Sequence, residues 1–265
     1  MATHPIFGRA MTPAEYAAEW TKSANDFAAM GAYQWMAQQL GTATNVAEIG
    51  GGSGASTLQL LKDGRAVTSI DVNQQLVDSA QAYLQNTGMR TQLLTMADLP
   101  VGPATAVPAA RALVANALSK DLDNAMQPSS LDAIICWMIG ASPDVIERTL
   151  ARPVEAFTGQ EPADYREVVH RRCFVLGESW LKTGGTVHLV DRVVIRSWQD
   201  KDSMRDQAAA MYQTLAGKGY SIHRGNVFLR KLEGLGGSAI QYAAPVEVAS
   251  SRGVIALCSV KAIKL

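Results

Sequence analysis

The sequence predicts an α/β fold: a mostly parallel sheet of seven strands with helices on both faces, an antiparallel terminal strand and a helical lid at the N-terminus. Three observations predict it. Short apolar runs alternate with longer amphipathic segments from residue 45 onward, the texture of strands joined by crossover helices. A glycine-rich turn, Gly50-Gly51-Gly52-Ser53-Gly54, follows the first such run directly. The second run ends on a carboxylate, Asp71.

Residues 12–40 read as helical, because Thr12-Pro13 supplies an N-cap with proline at the first helical position and large apolar residues recur at near-helical spacing. Gly31 divides that region and Gly41 ends it. Residues 46–49 form a buried strand, 56–62 a helix, and 66–70 a second strand; Asn73 then caps a helix to about Gln85. Residues 90–96 read as a third strand, 100–108 as a loop entering a helix over 109–118, and 131–137 as a fourth strand. A helix over 165–181, stopped by Lys182-Thr183-Gly184-Gly185, leads to a fifth strand at 186–194. A helix at 203–215 precedes two strands, 220–229 and 254–262, which should close the sheet as an antiparallel hairpin.

Composition bounds the function. A chain of 265 residues, 48% hydrophobic, buries one substantial core, so one domain is expected: residues 1–42 as a lid, 43–265 as the core, and 140–164 as a cap inserted in it. Neither a membrane-spanning run nor a basic-then-apolar leader is found, so a soluble, cytoplasmic protein, monomer or homodimer, is expected. Cys136, Cys173 and Cys258 are far apart and form no C-x-x-C pair, which argues against a zinc site or a disulfide framework. Lys plus Arg and Asp plus Glu both number 24, so the whole chain has no net attraction for a phosphate backbone and nucleic acid is a disfavoured partner, although Arg166, His170, Arg171 and Arg172 are clustered.

Glycines after a strand let the backbone turn tightly and leave bare main chain for a ligand at a helix N-terminus. Dinucleotide enzymes use a similar turn, with spacing G-x-G-x-x-G; here Glu48-Ile49-Gly50-Gly51-Gly52-Ser53-Gly54 runs E-x-G-x-G-x-G. Asp71 would accept hydrogen bonds from two ribose hydroxyls, which indicates a ribose-bearing cofactor without choosing between the two classes.

In order along the chain these segments, with Met96-Ala97-Asp98-Leu99, Leu131–Trp137 and Leu176–Thr186, resemble the class I (Rossmann-like) S-adenosylmethionine-dependent methyltransferases over about residues 44–195. Thr183 stands where that family more often has proline. The resemblance implies S-adenosylmethionine as cofactor and S-adenosylhomocysteine as product. It places Glu48, Gly50, Gly52, Asp71, Val72, Asp98, Leu99 and Cys136 against the cofactor, with Asp98 on the adenine amine, and brings Tyr16 and Tyr33 in from the lid; no metal is implied.

Methyl transfer from a sulfonium is an in-line displacement that depends chiefly on alignment, with a base needed only where the acceptor loses a proton. Candidates beside the acceptor are Asp191 near the end of the fifth strand, His170 and Trp137. Each has a plainer reading: Asp191-Arg192 as a surface ion pair, His170 on a solvated basic face, Trp137 as core, and Tyr16 and Tyr33 as helix packing. His188 reads as a hydrogen-bonded sheet residue and His223 as a strand residue without a partner. No D-P-P-Y or N-P-P-Y segment follows the fourth strand and no Pro-Cys pair occurs, which disfavours methylation of nucleic-acid bases; a small-molecule acceptor is the leading expectation. Its rivals are a protein or tRNA acceptor, intramolecular cyclisation of the sulfonium, a NAD-dependent oxidoreductase, and a cofactor-binding subunit without activity. The oxidoreductase would need a hydride-relay set such as Tyr-x-x-x-Lys, which is not found.

Overall fold

The computed structural model describes residues 11–103, 108–232 and 253–265. Helix α1 spans Pro13–Ala29 and begins at a capping box in which the Thr12 side chain accepts from the Glu15 amide while the Glu15 carboxylate accepts from the Thr12 amide. Gly31, at φ 65°, turns the chain into α2, Ala32–Gln38. Strand β1 (Asn45–Ile49), α3 (Ala55–Lys62), β2 (Ala66–Asp71), α4 (Gln74–Asn86) and β3 (Thr91–Leu94) follow. Next come β4 (Ala109–Val114), β5 (Leu131–Trp137), α5 (Pro143–Leu150), α6 (Glu161–Trp180), β6 (Leu181–Ile195) and α7 (Lys201–Ala216). The chain ends in β7 (Tyr220–Ser221), β8 (Val227–Lys231) and β9 (Val254–Lys264).

The sheet runs β3-β4-β2-β1-β5-β6-β9-β7, with β8 also paired to β9. The six strands from β3 to β6 are mutually parallel; β9 is antiparallel to β6 over ten residue pairs, and β7 and β8 are antiparallel to β9. Because strand order reverses at β1, the carboxyl ends of β1 and β5 border the crevice where open α/β sheets bind ligands. Alternation along each strand feeds two cores. Ile134, Cys136 and Leu189 pack beneath α6 and α7, whereas Ala133, Ile135, Trp137 and Val190 pack beneath α1, α2 and α3.

The architecture is the predicted one, with nine strands in place of seven among the described residues. The helix expected over 109–118 is strand β4: its alanines favour a helix in isolation, but the segment fills the slot between β2 and β3 and pairs with both. Residues 104–107 of the preceding loop lie outside the described residues. The stretch 220–229 is broken into β7 and β8 by a turn at residues 224–226, where His223 Nδ1 accepts from the Gly225 amide, so this histidine is a cap and has a partner.

Lys182–Gly185 does not cap a helix. Helix α6 passes directly into β6, and the glycine pair accommodates an irregularity in which Leu181 sits opposite Leu131 and Thr186 opposite Ala133, with Gly184 at φ 78°. Helix α6 also begins four residues earlier than expected, where the buried Glu161 carboxylate accepts from the Thr158 and Gly159 amides and pairs with Arg152.

Candidate active site

The turn between β1 and α3 is left-handed at Gly50, Gly52 and Gly54, with φ of 78°, 55° and 88°. Its shape is set from the neighbouring strand: the Gly50 amide donates to the Ile70 carbonyl at 2.8 Å, and the Gly52 amide to Asp71 Oδ2 at 3.0 Å. Asp71 Oδ1 accepts from the Asn73 amide at 2.9 Å. Burial raises the Asp71 pKa, and these amides oppose that rise. The Val72 amide also donates to Asp71, and a carboxylate has about four acceptor positions, so one remains, which suits a ribose hydroxyl.

Glu48 lies under the turn and is buried, its carboxylate accepting from the Thr57 hydroxyl at 2.5 Å; desolvation pushes its pKa up against hydrogen bonds from Ser56, Thr57 and Ser69. Its side chain therefore braces β1 against α3.

Helix α1 forms a roof. A Cβ on Gly52 would come within 2.5 Å of Trp20 Nε1, and one on Gly50 would collide with Ile139, so these glycines also make room for side chains of the chain itself. Tyr16 stacks on Trp20 with centroids 6.5 Å apart, and its hydroxyl would lie 2.6 Å from a Cβ on Gly140. The Asn73 amide side chain donates to the Pro13 carbonyl at 3.0 Å, which ties the start of α1 to the cap of α4. Tyr33 is placed differently: it is buried edge-to-face against Phe27 within the lid.

Beyond Asp71, a groove of about 550 Å³ opens between Val72, Asn116, Leu118 and the α5–α6 residues Val145, Thr149 and Val168. Asp98 is not part of it. Strand β3 lies at the edge of the sheet, separated from β2 by β4, and the Asp98 carboxylate accepts from the Thr95 amide and hydroxyl at 2.7 Å in an exposed turn. Leu99 packs against the core. Two residues past the strand beside β2 is Asn116, whose Oδ1 accepts from the Leu118 amide at 2.9 Å. Only the pairing of β4 with β2 and β3 reveals this position, and an alanine-rich strand carries little signal of it in sequence.

Across the crevice, Trp137 ends β5 and donates its indole N–H to His188 Nδ1 at 3.1 Å. His188 Nε2 is 2.7 Å from the Ser259 hydroxyl, which in turn donates to Gln39 Oε1 of the segment after α2 at 2.6 Å. Since an indole only donates, His188 must carry its proton on Nε2. Cys136 is wholly buried beside Cys173 in the core beneath α6 and α7.

Asp191 lies one residue past Val190, the partner of Trp137, and so stands at the carboxyl edge of the sheet. It pairs with Arg166 at 3.3 Å, not with a surface partner, and His170 Nε2 is 3.9 Å away. His170 is only 2% exposed, because it lies on the face of α6 turned toward the sheet; Arg171 takes the solvated side, and Arg172 clasps the Ala117 and Ser119 carbonyls. Asp71, the glycine turn, Trp137 and Asp191 thus lie at the ends of four adjacent strands, β2, β1, β5 and β6, a row of roughly 14 Å at about 4.8 Å per strand.

Residues 9–126 match the family model of protein-L-isoaspartate(D-aspartate) O-methyltransferase, while no curated protein sequence matches the chain. The fold is similar to that of the YcgJ protein from Bacillus subtilis, at 13% identity over 88% of this chain and 97% of that one, with a TM-score of 0.50. Weaker similarity extends to a SAM-dependent methyltransferase from Methanosarcina mazei (16% identity, 83% and 92% covered, TM-score 0.43). It also extends to geranyl diphosphate C-methyltransferase from Streptomyces coelicolor A3(2) (11%, 89% and 76%, 0.49). The glycine turn and Asp71 lie inside the matched segment, which spans less than half of the chain, and the six-stranded parallel sheet around them belongs to the fold shared with the Bacillus subtilis protein.

Proposed function

We propose that the protein methylates a small-molecule acceptor, releasing S-adenosylhomocysteine, in a pocket between the lid of residues 1–42, the core of 43–265 and the cap of 140–164. The observation that carries the reading is the roof over the glycine turn. Trp20 against Gly52 and Tyr16 against Gly140 close the approach from α1, which suits a small acceptor better than a folded macromolecule. The equal numbers of acidic and basic residues support the same choice.

When bound, S-adenosylmethionine supplies an electrophilic methyl carbon on a sulfonium. In this reading the glycine turn beneath Trp20 and Ile139 and the Asp71 carboxylate hold it, Val72 and Leu118 give apolar contact to its base, and Asn116 takes the polar role first expected of Asp98. Trp137 acts as a wall and not in proton transfer, since its one N–H is committed to His188. Asp191 and His170 stand beside the acceptor. Catalysis then rests on alignment and on excluding water. Three free, buried thiols suit a cytoplasmic protein, and no described helix is long and apolar enough to cross a membrane.

The matched family favours a second reading, methylation of a protein carboxylate. The match ends at Met126, however, before β5, the cap and Asp191, so it covers the cofactor half and omits the acceptor side.

Incubation of the purified chain with methyl-tritiated S-adenosylmethionine and fractionated cell extract separates the readings. Label in the small-molecule fraction, matched by S-adenosylhomocysteine, is the expected result. Label in protein or RNA promotes the macromolecular acceptor, and cofactor loss without S-adenosylhomocysteine indicates cyclisation.

A further inference from the structure

Two buried polar atoms at the carboxyl edge have no hydrogen-bond partner among the described residues: Asp191 Oδ1 and His170 Nε2. They belong to neighbouring side chains, His170 Nε2 lying 3.9 Å from the other carboxylate oxygen of Asp191. Leaving such atoms buried and unpaired is costly, and native proteins seldom do so without a role for them.

The chemistry of a partner for both atoms follows from the proton positions. His170 Nδ1 is 3.1 Å from the Tyr212 hydroxyl. Burial, with the Arg166 charge beside it, drives the His170 pKa down to about 3, so the ring is neutral. A neutral ring facing a carboxylate is best placed with its proton on Nε2, which leaves Nδ1 to accept from Tyr212. The site therefore offers one acceptor, Asp191 Oδ1, next to one donor, His170 Nε2–H. A hydroxyl matches both at once, because it has one proton to give and lone pairs to receive. A thioether has no proton, an ammonium has no lone pair, and an amine beside the Asp191 carboxylate takes up a proton and becomes an ammonium.

We propose that Asp191 and His170 form the binding site for the acceptor's hydroxyl group, with Asp191 as general base, so that the protein is an O-methyltransferase. The inference rests on the methyltransferase reading above. In the step, the hydroxyl oxygen uses a lone pair to form the new O–CH3 bond. The C–S bond breaks with its electron pair on sulfur, the sulfonium becomes a neutral thioether, and the hydroxyl proton passes to Asp191 and then to solvent. Tyr212 and Arg166 are positioning residues: Tyr212 fixes the His170 tautomer and Arg166 anchors Asp191 Oδ2.

The groups facing Asp191 are Arg166 and His170 from α6, Tyr212 from α7, Cys258 from β9, Cys136 from β5 and Arg192 on its own strand. Burial raises the Asp191 pKa to about 6 against the pull of Arg166 and Arg192, close to the range where a carboxylate serves as a base at neutral pH. The base is ionised above that pH, so turnover should fall as pH drops through about 6.

The test uses the full chain labelled at aspartate Cγ with carbon-13 and saturated with S-adenosylhomocysteine, with Asp191→Asn identifying the resonance. Phenol and thioanisole, probes of similar shape, are titrated in. Expected are a midpoint near pH 6, a saturable shift with phenol, and none with thioanisole. No response to phenol, which would leave the two atoms to water, overturns the proposal, as does an equal response to both probes. Asp191→Asn should bind S-adenosylhomocysteine within about twofold of the wild type; a tenfold loss moves Asp191 to the cofactor and also overturns it. Failure of the wild type to bind S-adenosylhomocysteine sinks the methyltransferase reading instead, while the phenol response still decides the hydroxyl site. Once an acceptor is identified, Asp191→Asn should lower turnover at least about 100-fold and abolish the acid limb near pH 6, and Tyr212→Phe should shift that limb.

Discussion

Replacing Asp71 by Asn changes one atom at the point where β2 meets the glycine turn. In the wild type, Oδ2 accepts from the Gly52 amide at 3.0 Å and Oδ1 from the Asn73 amide at 2.9 Å. Asparagine has one oxygen and one NH2, so in either orientation one of those backbone donors faces another donor. Losing a hydrogen bond to a charged group costs about 1.5–3 kcal/mol. The folded protein already carries a desolvation cost for the Asp71 charge, which the substitution relieves, so the net loss of stability should sit near the low end, about 1.5 kcal/mol. The effect on the cofactor is separate. The ribose hydroxyl loses its charged acceptor, and the same range converts to a roughly 10- to 150-fold weaker affinity. Isothermal titration with S-adenosylhomocysteine, run beside guanidinium unfolding at the same pH, reads both. An affinity within twofold of the wild type, with stability lowered as predicted, would refute the ribose role and leave Asp71 as a brace for the turn alone.

Trp20→Ala removes the buried indole from the roof and should destabilise the chain by about 3–5 kcal/mol, while Trp20→Phe, which keeps most of the volume, should retain the fold and weaken S-adenosylhomocysteine binding; thermal melts and titration check both. Asp132 fastens the start of β1, accepting from the Thr44 and Asn45 amides at 2.9 Å and from Lys182 at 2.7 Å, which hold its pKa down at about 2. A depressed carboxylate stabilises the fold above its unfolded pKa and stops doing so as pH falls through the folded value. The loss should therefore appear between about pH 4 and 2 and amount to about 1–2 kcal/mol after allowing for the half-exposed lysine, and Asp132→Asn should flatten it in urea titrations across that window. His188 is buried neutral, its pKa lowered to about 3, so below about 6.5 the unfolded chain binds a proton that the folded one does not. Stability should fall by up to about 1.4 kcal/mol per pH unit from this residue, and a His188→Gln variant that shows the same slope would assign it elsewhere.

The elements readable in sequence are those whose signals lie within a few residues of one another. Thr12-Pro13 with Glu15 starts α1, Asn73 starts α4, the glycines after Ile49 make the turn, and Asp71 closes β2; in each, the capping or turning group meets a backbone atom of its own neighbourhood. The order of apolar runs likewise carried the parallel sheet and its antiparallel end. What only the tertiary structure decided depends on partners far away in the chain. Residues 109–114 favour a helix by composition and become a strand because β2 and β3 flank them, and that pairing moves Asp98 off the crevice and puts Asn116 on it. His170 stands among arginines in sequence and on a buried face in space, since the face of α6 that meets the sheet is chosen by packing against β6 and α7. The chain Trp137–His188–Ser259–Gln39 joins four residues spread over 220 positions, and hydrogen-bond partners at such separations have no local sequence signature to read.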